Sequence, residues 1–180
     1  MRHGDTGQRS YRGQLDDPLT AQGWMQSRAA VDQRDWDALV TSSLVRCAAF
    51  ARELARKRTL PLRIDERLAE YYAGDWQGMP IDVIAREQGD ALARYWADPV
   101  HQPPPHGEPF EAFRRRVCAA LDEIAANRDS VSRVLVVTHG GVIRLLQCIT
   151  TGRGFGAMAN LSVPNATLYR LRWPPTSGGV

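Results

Sequence analysis

The sequence predicts an α/β fold, on three observations. Short apolar runs suited to buried strands alternate with longer segments whose apolar residues recur at helical spacing. One of these runs, Arg133–Thr138 (RVLVVT), reads as a central strand and leads directly into His139-Gly140-Gly141 and an apolar helical stretch. Polar clusters able to do chemistry fall at the ends of the expected strands or in the loops that follow, where α/β folds gather their sites.

Each element has a local justification. Thr20 can cap a helix running through Trp24, Met25 and Ala29. Ala38–Ser43 (ALVTSS) is a short apolar run ending in small polar residues, as a buried strand would be. Leu44–Lys57 carries apolar residues at 44, 47, 48, 50, 51, 54 and 55, a helical stripe. Leu62–Ile64 is a further short strand. Pro80 suits the first turn of a helix over 81–88, and Gly89–Ala97 forms another helical piece. Pro99, Pro103, Pro104 and Pro105 make Val100–Gly107 a loop. Glu108–Asn127 is a long helix with Phe110, Phe113, Val117, Leu121 and Ile124 on one face, and its Arg114-Arg115-Arg116 run reads as a solvated face. After Arg133–Thr138, His139-Gly140-Gly141 is expected to be a turn and Val142–Ile149 a helix. Thr167–Trp173 alternates apolar and polar residues like a half-exposed edge strand.

The 180 residues suit a single domain over 1–173 with a flexible tail over 174–180. With 43% hydrophobic residues the chain can build its own core, and disordered, collagenous and coiled-coil classes are excluded. The formal charge of +3 comes from 23 basic and 20 acidic residues, and Lys57 is the only lysine. The arginines are spread along the chain without a nucleic-acid-binding motif, so no nucleic-acid partner is expected. No apolar run approaches a membrane span, the longest clear one being Val134–Val137, so no membrane partner is expected either. The start runs straight into Arg2, His3 and Asp5 and does not read as a secretory signal. Cys47, Cys118 and Cys148 are odd in number and lack zinc-site spacing, so they read as reduced core residues of a cytoplasmic protein.

Four clusters carry the chemistry. Arg2-His3-Gly4 pairs a phosphate-neutralising guanidinium with an imidazole, and its glycine allows close backbone approach. Ser42-Ser43-Leu44-Val45-Arg46 places an arginine in the first turn of a helix, where free backbone N–H groups also attract anions. Taken alone, Arg46 would be an ordinary surface residue. In Leu68-Ala69-Glu70-Tyr71-Tyr72-Ala73-Gly74-Asp75-Trp76-Gln77-Gly78, a carboxylate among aromatic rings is a candidate proton donor. In Val136-Val137-Thr138-His139-Gly140-Gly141-Val142-Ile143-Arg144, a histidine at the end of a central strand can point into a cleft. His101 and His106 lie in the proline loop and carry no assigned role.

Together these clusters resemble the histidine phosphatase superfamily, the phosphoglycerate mutase-like fold. The order of motifs is the same: Arg-His-Gly, Ser-x-Leu-x-Arg, Leu-x-Glu with Gly-x-Trp-x-Gly, then His-Gly-Gly. Gly13-Gln14-Leu15-Asp16-Asp17-Pro18-Leu19-Thr20 with Gly23 matches a secondary pattern. The likeness runs from Arg2 to about Trp173. It is greatest for the short bacterial phosphatases, α-ribazole phosphatase among them, through Pro105-His106-Gly107-Glu108-Pro109-Phe110-Glu111-Ala112-Phe113.

The resemblance implies a three-layer αβα sandwich around a mostly parallel central sheet. It implies a phosphomonoesterase acting on a small phosphorylated metabolite, α-ribazole 5'-phosphate being one candidate, and releasing inorganic phosphate. His3 would be the nucleophile. Arg2, Arg46 and His139 would clamp the phosphoryl group with the Gly140 N–H, and Glu70 would be the acid and then the base. Gly13 and Arg9 would contribute to substrate binding, Arg9 standing where relatives often carry an asparagine. No metal or cofactor is expected, because arginine and histidine supply the positive charge. The family usually has an apolar strand before Arg-His-Gly. Here only Met1 precedes Arg2, so that strand is either absent or encoded upstream of Met1. A mutase using the same residues and a non-catalytic phosphate-binding module are the competing readings.

Overall fold

The computed structural model describes residues 1–127 and 133–175. Helix α1 (Ala21–Val31) is followed by strand β1 (Ala38–Thr41), α2 (Val45–Arg58) and β2 (Leu62–Ile64). Then come α3 (Ile81–Glu87), α4 (Gly89–Ala97), α5 (Phe110–Ala126), β3 (Val134–Val137) and α6 (Gly140–Thr151), with short 3₁₀ turns at Glu66–Leu68, Gly74–Trp76 and Phe155–Asn160. The strands form a parallel sheet in the order β2-β1-β3. Its register sets Leu39 opposite both Leu62 and Leu135, and Val40 opposite Val136.

The pleat sends alternate residues into two cores. Leu39, Leu135 and Val137 pack on one face with Phe50, Ala51 and Leu54 of α2 and Val31 of α1. Val40 packs on the other face with Phe113, Val117 and Leu121 of α5 and Val142, Leu145 and Leu146 of α6. This is the expected three-layer sandwich. A third cluster of Ala73, Trp76, Ile84 and Leu92 holds α3 and α4 at one side of it. No helix among the described residues is long and apolar enough to cross a membrane.

Local chemistry sets the boundaries. Thr20 Oγ1 accepts from Gly23 N at 3.0 Å and caps α1. The buried face of α1 is Gly23, Ser27 and Val31, whereas Met25 is 63% exposed. Helix α2 has no cap from its own preceding residue, and the carboxylate of Asp16 accepts from Val45 N at 2.6 Å in its place. Residues Met1–His3 run beside the exit of β3: Thr138 N donates to Met1 O at 2.9 Å and His3 N to Thr138 O at 3.0 Å. Arg2 thereby makes a single parallel bridge to Thr138.

Four expectations are corrected. Thr167–Trp173 is not a strand. Among the described residues its one backbone hydrogen bond to the N-terminal segment is Arg2 N to Thr167 O at 3.1 Å; just before it, Ala166 N donates to His3 O at 3.0 Å, and Ala166 has a left-handed φ of 56°. Its alternation has another origin, since Leu168 packs on the first core and Leu171 on the second. His139-Gly140-Gly141 is not a turn: both glycines belong to α6 and His139 is its N-cap. Cys47 and Cys148 are buried, but Cys118 is only half-buried; all three are free thiols. Arg116 does not sit on a solvated face, because its guanidinium is spent on the carbonyls of Arg67, Ala69 and Glu70. Of the expected tail, residues 176–180 lie outside the described residues.

Candidate active site

A cavity of about 400 Å³ opens where β1 and β3 end, walled by Arg2, His3, Arg46, Glu70, Gly141 and Arg144 among others. Each comes from a segment that leaves the C-terminal edge of the sheet or runs beside it, the usual site position in open α/β sheets.

His3 is 7% exposed. Its Nδ1 lies 2.7 Å from Gly4 O. A carbonyl only accepts, so the ring proton is on Nδ1 and the lone pair on Nε2. Burial, helped by the Arg46 guanidinium, pulls the His3 pKa down to about 3. The imidazole is therefore neutral at physiological pH. Gly4 serves packing here rather than phosphate: a Cβ on it would sit 2.1 Å from Gly23 O and 2.7 Å from Ser27 Oγ, so α1 docks against the motif through small residues.

Arg46 is 1% exposed and fully anchored. Its Nη1 donates to Leu15 O and its Nη2 to Gly13 O, both at 2.6 Å, and its Nε donates to His139 Nδ1 at 3.2 Å. Since His139 Nδ1 accepts, its Nε2 carries the proton, which it donates to Ser42 Oγ at 2.7 Å. His139 is completely buried, and burial with the Arg46 charge holds its pKa well below the ordinary value. Both of its ring nitrogens are engaged within the protein, and it is not among the cavity-lining residues. It touches the expected phosphate site through Arg46 rather than directly. The rings of His3 and His139 are 5.3 Å apart, edge to face. Cys47 packs behind them with Sγ 3.6 Å from His139 Nε2, its thiol pushed up to about 12 by burial.

Glu70 is held from two sides. Its Oε1 accepts from Tyr71 N at 2.9 Å and its Oε2 from Gly141 N at 3.1 Å. A Cβ on Gly141 would lie 2.3 Å from Glu70 Oε1, so glycine is required there for the carboxylate to reach α6. The Glu70 carbonyl accepts from Arg116 Nη2 at 3.0 Å, and Arg116 Nη1 donates to the carbonyls of Arg67 and Ala69, each at 2.7 Å. Glu108 pairs with the same guanidinium at 2.7 Å.

Gly13 lines the cavity and contributes its carbonyl to Arg46. Arg9 is exposed and does not line it. Gly140 lies between two guanidiniums: a Cβ there would be 3.3 Å from Arg144 Nη1 and 3.6 Å from Arg2 Nε. Arg2 Nη1 donates to Val163 O, and Arg144 Nε donates to Leu161 O at 2.8 Å. The segment after α6 thus braces both cations.

The sequence reading missed Arg144, Arg116 and Ser42 as contributors. Two signals were present. Arg144 is four residues after Gly140, which stacks it on the same helix face, and Arg116 is three after Phe113, on the apolar face of α5. Among the described residues no group of three or more His, Cys, Asp or Glu side chains could hold a metal ion.

The family model for the histidine phosphatase superfamily (branch 1) matches residues 1–179. The chain is 31% identical to the adenosylcobalamin/α-ribazole phosphatase of Salmonella typhimurium, over 96% of this chain and 83% of that protein. The crystal structure of the α-ribazole phosphatase from Shigella flexneri superposes with a TM-score of 0.78 at 28% identity, covering 92% of this chain and 85% of that one. A mycobacterial glucosyl-3-phosphoglycerate phosphatase in complex with inorganic phosphate superposes with a TM-score of 0.76 at 30% identity, covering 91% and 83%. Three mycobacterial relatives, 32% identical over 93% of this chain, are longer, and the chain spans 48% of each. With its motifs gathered at one cavity and residues 1–179 matched by the family model, the chain belongs to the histidine phosphatase superfamily, branch 1.

Proposed function

We propose that the protein is a metal-independent phosphomonoesterase that hydrolyses a small phosphorylated metabolite through a phosphohistidine on His3, with α-ribazole 5'-phosphate as the candidate substrate. The observation that carries this reading is the neutral His3 ring, proton on Nδ1 and lone pair on Nε2, facing a cavity shared with Arg2, Arg46 and Glu70. Arg2, Arg46 and Arg144 supply the charge that stabilises the equatorial oxygens during transfer, assisted by the Gly140 N–H at the start of α6. His139 acts as a positioning residue that aims Arg46, with Ser42 fixing its tautomer. We assign the activity to the cytoplasm, where the three free thiols stay reduced.

The chemistry then runs in two steps. His3 Nε2 attacks phosphorus as the P–O ester bond breaks, and the departing alcohol oxygen takes the proton of Glu70. Glu70, now a carboxylate, accepts a proton from the water that attacks phosphohistidine. The P–N bond breaks, its electron pair returns to Nε2, and inorganic phosphate leaves.

Brief incubation with substrate in excess EDTA, followed by quenching, should yield an acid-labile, base-stable phosphoprotein. His3→Ala should abolish both label and turnover. A label that persists in that variant, or activity that EDTA removes and a divalent ion restores, would overturn the reading.

A further inference from the structure

Thr138 follows the apolar run of β3 and is 2% exposed. A buried strand end suits valine as well as threonine, so a hydroxyl placed there needs a partner of its own. It donates to Leu68 O at 2.9 Å, and Leu68 is itself fully buried, so water is kept from taking its place. Residues 67–70 belong to no strand, and side chains take their carbonyls. Arg116 holds those of Arg67, Ala69 and Glu70, whereas that of Leu68, among them, goes to Thr138.

The same residue holds the segment of the proposed nucleophile. Thr138 N donates to Met1 O at 2.9 Å and His3 N donates to Thr138 O at 3.0 Å, so the backbone of Thr138 sets where Arg2-His3-Gly4 lies. Further along the chain, Gly141 N donates to Glu70 Oε2 at 3.1 Å. This N–H is in the first turn of α6, where it has no partner inside the helix. Leu68 and Glu70 are thus joined to Thr138 and Gly141 in a closed ring, with one bond to the backbone of the strap and one to its carboxylate.

We propose that Thr138 is a positioning residue that sets Glu70 against His3: its backbone fixes the histidine, its hydroxyl fixes the strap that carries the carboxylate, and the two groups keep their spacing because one residue holds both. The proposal rests on the phosphomonoesterase reading and concerns how that site is aligned rather than what it binds. Thr138 does not line the cavity and acts only through the groups it holds. A misplacement of a reacting group by about 1 Å can cost about 10²-fold in rate, so a single buried hydroxyl at this junction has leverage over the proton transfer.

Thr138→Val keeps the shape and removes the donor, whereas Thr138→Ser keeps the donor. Rapid-quench single turnovers on the full chain give the rate at which His3 is phosphorylated by ethyl phosphate and by p-nitrophenyl phosphate. Ethoxide needs a proton from Glu70 and p-nitrophenolate does not, so Thr138→Val should slow the ethyl ester roughly tenfold and the aryl ester far less. Thr138→Ser should recover most of the loss. By NMR, the Gly141 amide proton should lose its protection from exchange in Thr138→Val and keep it in Thr138→Ser, while amides later in α6 stay protected in both. Should the valine variant not fold, Thr138→Ala and Thr138→Ser, which differ by the hydroxyl alone, give the same comparison. Equal slowing of both esters, or native rates with a protected Gly141 amide in Thr138→Val, overturns the proposal and leaves the phosphatase reading intact. Loss of Gly141 protection in Thr138→Val, in a protein whose native form is phosphorylated by neither ester, overturns the phosphatase reading and upholds Thr138 as the residue that holds the Glu70 strap.

Discussion

An imidazole can receive a phosphoryl group only while one ring nitrogen keeps its lone pair. At His3 the carbonyl of Gly4 fixes which nitrogen that is, and burial beside Arg46 removes competition from the proton, the pKa falling to about 3. The partner task is the one we propose for Glu70, whose two oxygens are aimed by the N–H groups of Tyr71 and Gly141. An alkoxide is a poor leaving group and must be protonated as the P–O bond breaks, whereas p-nitrophenolate departs unaided. General acid catalysis is worth about 10²–10⁴-fold. Glu70→Gln should therefore lose most turnover on an alkyl phosphate. With p-nitrophenyl phosphate it should retain much of the first, phosphorylating step while phosphohistidine accumulates, because the same residue is missing when water attacks. Rapid-quench single turnovers beside steady-state rates read both steps. A uniform drop across both steps and both leaving groups would reduce Glu70 to a phosphate-positioning role and move the search for the proton donor to Asp5, which also lines the cavity.

Glu70 lies in an irregular stretch, and what makes that stretch rigid is a helix. Arg116 of α5 reaches the carbonyls of Arg67, Ala69 and Glu70, and Glu108 just before α5 neutralises it. Arg116→Met should remove this donor from the Arg67 and Ala69 carbonyls and the ion-pair partner from Glu108, and lower the melting temperature by several degrees. A purely structural role would stop there. If Arg116 positions Glu70, kcat on alkyl phosphates should fall on the order of tenfold while inhibition by inorganic phosphate changes little, and aryl phosphates should suffer less. Equal losses for both leaving groups would assign Arg116 to folding alone. Helix α5 also shows how far the sequence could be read. The spacing of Phe110, Phe113, Val117 and Leu121 announced its buried face, and that spacing placed Arg116 on the same face, but the run of three arginines suggested solvent. The central strand β1 was legible because a short apolar run bounded by polar residues has to be buried on both faces, which a central parallel strand achieves. Thr167–Trp173 misled because alternation reports that successive side chains go to different places, not that a ladder joins them; Leu168 and Leu171 enter different cores without one. The four motifs were legible as a set, whereas the engagement of both His139 nitrogens was not. That depends on Ser42 and Arg46 meeting the ring in space, and no spacing along the chain encodes it.

At the scale of the whole molecule, the site places two uncharged histidines between sheet and helices, and this couples folding to pH. His3 titrates near 3 in the folded chain and near 6.5 when unfolded, and His139 is likewise held well below its ordinary value. Between those values the unfolded chain binds a proton that the folded chain does not, so stability rises with pH across this window. The contribution is complete above about pH 6.5 and is progressively lost as pH falls toward 3. Carboxylates also titrate there, so the native slope alone is not diagnostic. The comparison with His3→Asn is, because that substitution removes one titration and leaves the carboxylates in place. Urea unfolding of both proteins between pH 4 and 6 should show a shallower dependence of ΔG on pH in His3→Asn, the difference approaching about 1.4 kcal/mol per pH unit for one proton. Parallel curves would show that His3 takes up its proton in the folded state as readily as in the unfolded one. His3 would then still be mostly neutral above about pH 6.5, but the free protein would lose that neutral ring on acidification near its ordinary value rather than near pH 3.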